Sequence, residues 1–114
     1  MDVYGSWLTQ LRKGVVELLV LGLLRSRGSL HGYGIVQELQ GIGELVAGVS
    51  TVYPVLKRLD ADGLVSAAWG TEADGTARRK YYEITPEGVS FLALGRSQWA
   101  VLDRAMRDLE EEER

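Results

Sequence analysis

The chain has no cysteine, which excludes disulfide scaffolds, thiolate metal sites and cysteine nucleophiles. It has one histidine, His31, too few for a zinc cluster or a histidine-based catalytic centre. Its longest apolar run, Val15 to Leu24, is interrupted by Glu17 and falls short of the roughly 18 residues that span a bilayer. No basic segment followed by an apolar stretch and a cleavage site opens the sequence, so a cytoplasmic protein without a membrane partner is expected. No glycine-rich phosphate loop, nucleophile triad or paired-carboxylate motif stands out. An enzyme is therefore disfavoured, and neither a cofactor nor a metal is expected.

What is there is 114 residues, 46% hydrophobic and 25% charged, the profile of one soluble globular domain. The net charge of −3 argues at first against nucleic acid, but it is unevenly spread. Before position 81, nine Lys/Arg stand against eight Asp/Glu, and from there on four stand against eight. The acidic excess belongs to the C-terminal end. The rest of the chain is near neutral, with local basic clusters.

Apolar residues at Leu8, Leu11, Val15, Leu18, Leu19 and Leu23 recur at helical spacing and predict a first helix from Val3 to about Ser26. Its second half is apolar nearly all round, as a central buried helix would be. A shorter helix is expected from Ser29 to about Gln40, dependent on packing because Gly32 and Gly34 lower its propensity. Gly41 and Gly43 end it, and Gly48 punctuates the segment that follows. A third helix runs to about Asp62, with Gly63 as its left-handed cap. Its start is open: Thr51 as N-cap seats Pro54 most easily, whereas a start near Gly48 costs one backbone hydrogen bond.

Leu64–Trp69 and Arg79–Ile84 then read as the strands of a hairpin around a Gly/Asp/Thr loop. Thr85–Pro86–Glu87 supplies an N-cap, a first-turn proline and a first-turn acid for a last helix, Pro86 to about Glu112. Along it Leu92, Gly95, Trp99, Leu102, Met106 and Leu109 form a seam with a period of 3.5. That seam exceeds what three short helices and a hairpin can cover, so a helix from a second subunit is expected to cover it.

The expected fold is mainly α with a small β-hairpin: a winged helix-turn-helix over residues 1–84, then a C-terminal dimerisation helix over 85–114, as one compact unit. In such a fold the third helix enters the major groove of DNA. Its outward face holds Ser50, Thr51, Pro54, Lys57, Arg58 and Ala61. Short hydroxyls near a helix N-terminus suit phosphate or base edges, and Lys57 and Arg58 are long enough for phosphates or guanine edges. Arg78, Arg79 and Lys80 lie where the second strand leaves the wing. Each cluster alone reads as a solvated polar face, and only their joint placement argues for DNA.

These residues also carry a resemblance. Thr51–Leu59 with Asp62–Val65 resembles the recognition-helix signature of the PadR family of bacterial transcriptional regulators. Arg78–Gly88 is similar to that family's wing strand and the start of its last helix, and Gly32–Ile35 to the opening of its second helix. The likeness spans about residues 8–110, and the length resembles the short subfamily that includes multidrug-responsive repressors. It implies a homodimeric repressor, released from its double-stranded operator by a small, often aromatic, compound. By this resemblance Ser50, Thr51, Tyr53, Lys57 and Arg58 match the DNA-facing helix, and Arg78, Arg79 and Lys80 match the wing. Tyr53 projects between the two faces of its helix and equally suits a buried flank. Tyr33 resembles a tyrosine near the DNA backbone and equally suits the core. Glu72 and Asp74 in the wing loop depart from a phosphate-binding tip, so contacts are expected from the basic stem instead.

Trp99 and Asp103 lie one turn apart on the last helix. Buried tryptophans are usually core, yet a dimer axis would bring two copies of Trp99 face to face. Two indoles beside a carboxylate suit a planar, cationic guest, and the short subfamily resembles this in having a tryptophan line an interface pore. Leu11, Gly14 and Leu18 are its expected walls. His31 is assigned no chemistry. The reading is a ligand-responsive DNA-binding regulator whose effector alters the separation of two recognition helices, which must match half-sites about 34 Å apart. The alternative is a winged-helix protein-interaction adaptor, which would not need the basic clusters.

Overall fold

The expected order of three helices, a hairpin and a long last helix is present in a computed structural model that describes residues 2–42, 49–71 and 78–114. Helix α1 (Val3–Arg27) turns one stripe, Val16, Val20, Leu21 and Leu24, wholly into the core. Gly28, at φ 86°, ends it by donating its N–H to the Leu24 carbonyl.

The chain does not enter the second helix at Ser29. Leu30–His31 forms a short strand, β1, and α2 spans Gly32–Leu39. His31 is extended and caps α2, its Nδ1 accepting the Gly34 N–H at 2.9 Å. A ring nitrogen thus does what a Ser or Asp side chain usually does. Helix α3 (Val49–Ala61) takes the earlier of its two starts, so Pro54 lies inside it and withholds one helical N–H. Val52, Leu56 and Leu59 are fully buried, which anchors the helix despite that loss.

Strands β2 (Val65–Thr71) and β3 (Arg78–Ile84) pair antiparallel, from Val65 opposite Ile84 to Thr71 opposite Arg78. β1 adds to the other edge of β3, Leu30 opposite Tyr82, giving the order β1-β3-β2. This third strand corrects the two-stranded expectation: β3 offers a row of free backbone groups, and the extended α1–α2 connection satisfies them. Gly43, Gly48, Glu72 and Asp74 lie outside the described residues.

Helix α4 (Pro86–Glu112) starts and ends as expected. Thr85 Oγ1 accepts the Gly88 N–H at 3.0 Å and donates to the Gly63 carbonyl at 2.7 Å, tying the helix start to the α3 turn. A Cβ at Gly88 would collide with the Leu64 carbonyl oxygen, so a side chain does not fit there. Of the apolar seam, Leu92 enters the core and Gly95 lies against Leu18 of α1. Trp99, Leu102, Met106 and Leu109 are exposed. The chain measures 60 × 35 × 22 Å with a radius of gyration of 16.3 Å, against about 13 Å for a compact chain of this size. Most of α4 projects beyond its own core.

Candidate functional site

On α3 the positions facing away from Val52, Leu56 and Leu59 are Ser50, Thr51, Pro54, Lys57, Arg58 and Ala61, and all but the half-buried Thr51 are exposed. Tyr53 is 43% exposed and its ring rests on Gly32, where an added Cβ would come within 2.7 Å of it. The buried-flank alternative for Tyr53 is thereby set aside, as is a core position for Tyr33, which is 49% exposed.

The wing stem meets α3 at Tyr53. Arg78, Arg79 and Lys80 open β3, all exposed, and the Arg78 guanidinium sits 5.6 Å from the centre of the Trp69 ring. Lys80 Nζ lies 5.8 Å from the Tyr82 ring. Burial pushes the Tyr82 phenol above its ordinary pKa, with Tyr53 and Asp60 adding to the effect, so its hydroxyl stays neutral. Arg79 Nη1 lies 3.1 Å from Nε2 and 3.4 Å from Nδ1 of His31, which places it over the imidazole ring. The His31 ring also meets Tyr81 edge-on, with 5.6 Å between ring centres.

These contacts bring the wing, the start of α2 and the first half of α3 around one groove of about 410 Å³. Tyr53, Arg78, Arg79 and Lys80 meet there with Tyr33, for which the sequence offered the DNA backbone or the core, and with His31, Trp69 and Tyr82, which the sequence did not single out for this site. Ser50, Thr51, Lys57 and Arg58 lie outside that groove, along α3. The one available signal for His31 was its position directly before a helix start. It is recognisable only once the helix is known to begin at Gly32.

Arg58 differs from the expectation that it only projects outward. Its Nε lies 3.1 Å from Oε1 of Glu17, a residue of α1 that is buried. That oxygen has no aligned hydrogen bond. A carboxylate left in the core draws the nearest cation back toward it, even from an exposed helix face.

A second cavity, about 330 Å³, opens between α1 and α4. Leu11, Gly14, Leu18 and Trp99 line it, together with Phe91 and Leu102. Trp99 is 49% exposed and is no part of the core of a single chain. Asp103 is not among the lining residues, and its Oδ2 accepts a hydrogen bond from Arg107 Nε at 3.2 Å. The acid that does line the cavity is Glu17.

Comparison with known proteins supplies the remaining observation. Residues 20–94 match the model of the transcriptional regulator PadR-like family. The chain belongs to the PadR-like family. These are transcriptional regulators rather than enzymes. A PadR family regulator from Eggerthella lenta is 33% identical, with 95% of this chain and 92% of that one covered and a TM-score of 0.77. A PadR-like regulator from Bacillus cereus is 27% identical over 88% of this chain and 95% of that one, at a TM-score of 0.76. The PadR of Bacillus subtilis, whose structure was determined with operator DNA, is 31% identical. That similarity covers 69% of this chain and 45% of that one, at a TM-score of 0.61. The PadR-like match takes in α2, α3 and the wing. Trp99, Asp103, Leu11, Gly14 and Leu18 fall outside it.

Proposed function

We propose that this PadR-like regulator is a homodimeric, DNA-binding repressor in the cytoplasm, released from its operator by a small aromatic or cationic effector held between α1 and α4. The observation that carries the reading is an α3 with an exposed polar face whose Tyr53 shares a groove with the basic wing stem. Ser50, Thr51, Tyr53, Lys57 and Arg58 would follow the major groove, while Arg78, Arg79 and Lys80 take adjacent phosphates. Related DNA binding by the Bacillus subtilis PadR supports this assignment.

The homodimer rests on α4. Trp99, Leu102, Met106 and Leu109 are each about half exposed or more, a contiguous apolar stripe that a second copy would cover. Such a partner brings the two α1–α4 cavities together, and a planar guest stacked on Trp99 would then bias the spacing of the two α3 helices.

A band-shift titration on DNA upstream of the protein's own gene, with and without aromatic amines, tests the whole reading. Retarded DNA that is released by an added amine supports it. Sedimentation equilibrium at micromolar concentration should give twice the 12.6 kDa of one chain. A mass of one chain, or failure to retard any upstream DNA, overturns it.

A further inference from the structure

Glu17 occupies an unusual position, touching both functional regions at once. It lines the α1–α4 cavity beside Leu18 and Trp99, and its Oε1 lies 3.1 Å from Nε of Arg58 on the recognition helix. It is the one buried charged residue among the described residues, 92% hidden from solvent, and Oε1 lacks an aligned hydrogen bond. A core carboxylate in this condition is an acceptor with unused capacity.

Arg58 uses only its Nε on Glu17 among the contacts the structure gives it. Its side chain is 64% exposed, so the contact with Glu17 leaves most of it open to solvent on the exposed face of α3. Tethering through Nε fixes the guanidinium without consuming the donors suited to phosphate. The tether is close but not aligned as a hydrogen bond, and is weak for that reason. A better-placed cation arriving through the cavity can replace it.

We propose that Glu17 is a shared carboxylate. It holds Arg58 in position for DNA, and it selects cavity ligands that carry an ammonium or amidinium group on a flat aromatic body. The two cations exclude each other at one acid. A cationic ligand displaces Arg58, Arg58 loses its tether, and operator affinity falls, while an uncharged ligand of the same shape fills the cavity and leaves Arg58 in place. This rests on the reading of the α1–α4 cavity as the effector site, and supplies it with an acid in the lining where Asp103 is spoken for by Arg107.

The test compares two probes of nearly equal shape, 1-naphthylmethylamine and 1-naphthalenemethanol, by isothermal titration calorimetry on the full chain. The wild type should prefer the amine. Glu17→Gln should weaken the amine by about 10- to 100-fold, the scale of a hydrogen bond to a charged group, and leave the alcohol within about two-fold. Arg58→Ala frees the carboxylate and should strengthen the amine about ten-fold, again without effect on the alcohol. In Glu17→Gln/Arg58→Ala that gain should vanish, which a merely structural ion pair would not require. An amine affinity unchanged in Glu17→Gln, with the alcohol still bound, overturns the role of Glu17 and leaves the cavity standing. An Arg58→Ala variant that shows no gain overturns the competition. Failure of both probes to bind the wild type overturns the cavity reading itself.

Discussion

Replacing Arg58 by Ala should lower stability as well as DNA binding, whereas replacing its neighbour Lys57 should affect DNA binding alone. Both side chains are exposed, and by helix position they look equivalent. The difference lies in what stays behind. Removing one partner of a fully buried ion pair costs about 3–5 kcal/mol, and a fully exposed pair contributes less than about 1 kcal/mol. Here Glu17 is 11% exposed in its side chain and Arg58 is 64% exposed, and the contact is not aligned as a hydrogen bond. An intermediate loss of about 1–2 kcal/mol follows, or roughly 4–8 °C in Tm for a chain of this size. Lys57→Ala should stay within about 0.5 kcal/mol of the wild type. Thermal melts at one fixed protein concentration read the effect, since dimerisation makes Tm concentration-dependent. Adding Glu17→Met to Arg58→Ala removes the stranded carboxylate and should recover most of the loss. If Arg58→Ala melts with Lys57→Ala, or the double variant is no more stable than Arg58→Ala, the buried acid is not what Arg58 serves.

Two further substitutions probe other parts of the molecule. Gly88→Ala puts a methyl group against the Leu64 carbonyl oxygen in the first turn of α4, and should cost about 1–3 kcal/mol in urea denaturation; an unchanged midpoint would refute the close approach. Trp99→Ala should weaken binding of flat aromatics by about 1–3 kcal/mol, or roughly 5- to 150-fold, if one indole from each subunit flanks the guest. Fluorescence titration of a variant that remains dimeric decides this, and equal affinity to the wild type counts against stacking.

How far the fold can be read without coordinates depends on the range of the interaction concerned. The ends of α4 follow from Thr85–Pro86–Glu87, where the cap, the fixed proline φ and the acid act within one turn. Gly28 and Gly63 stop α1 and α3 by adopting positive φ, which residues with a side chain rarely do. The outward face of α3 is equally legible, because helical period alone separates Ser50, Lys57 and Arg58 from Val52, Leu56 and Leu59. The start of α3 was open, since local chemistry favoured Thr51 for the sake of Pro54. Burial of Val52 and its neighbours outweighed one missing hydrogen bond.

The amino-acid sequence by itself thus determined the order of the four helices and the hairpin, the polar and apolar faces of the helices, and the apolar seam of α4. Each of these is set by residues within a few positions of one another. Only the tertiary structure decided that Leu30–His31 pairs with β3, that His31 and Trp69 join the groove of Tyr53 and Arg79, and that Glu17 faces Arg58. Those pairings join segments far apart along the chain, and no periodicity encodes them. Glu17 reads as a blemish in an apolar helix until folding places a cavity on one side of it and the recognition helix on the other.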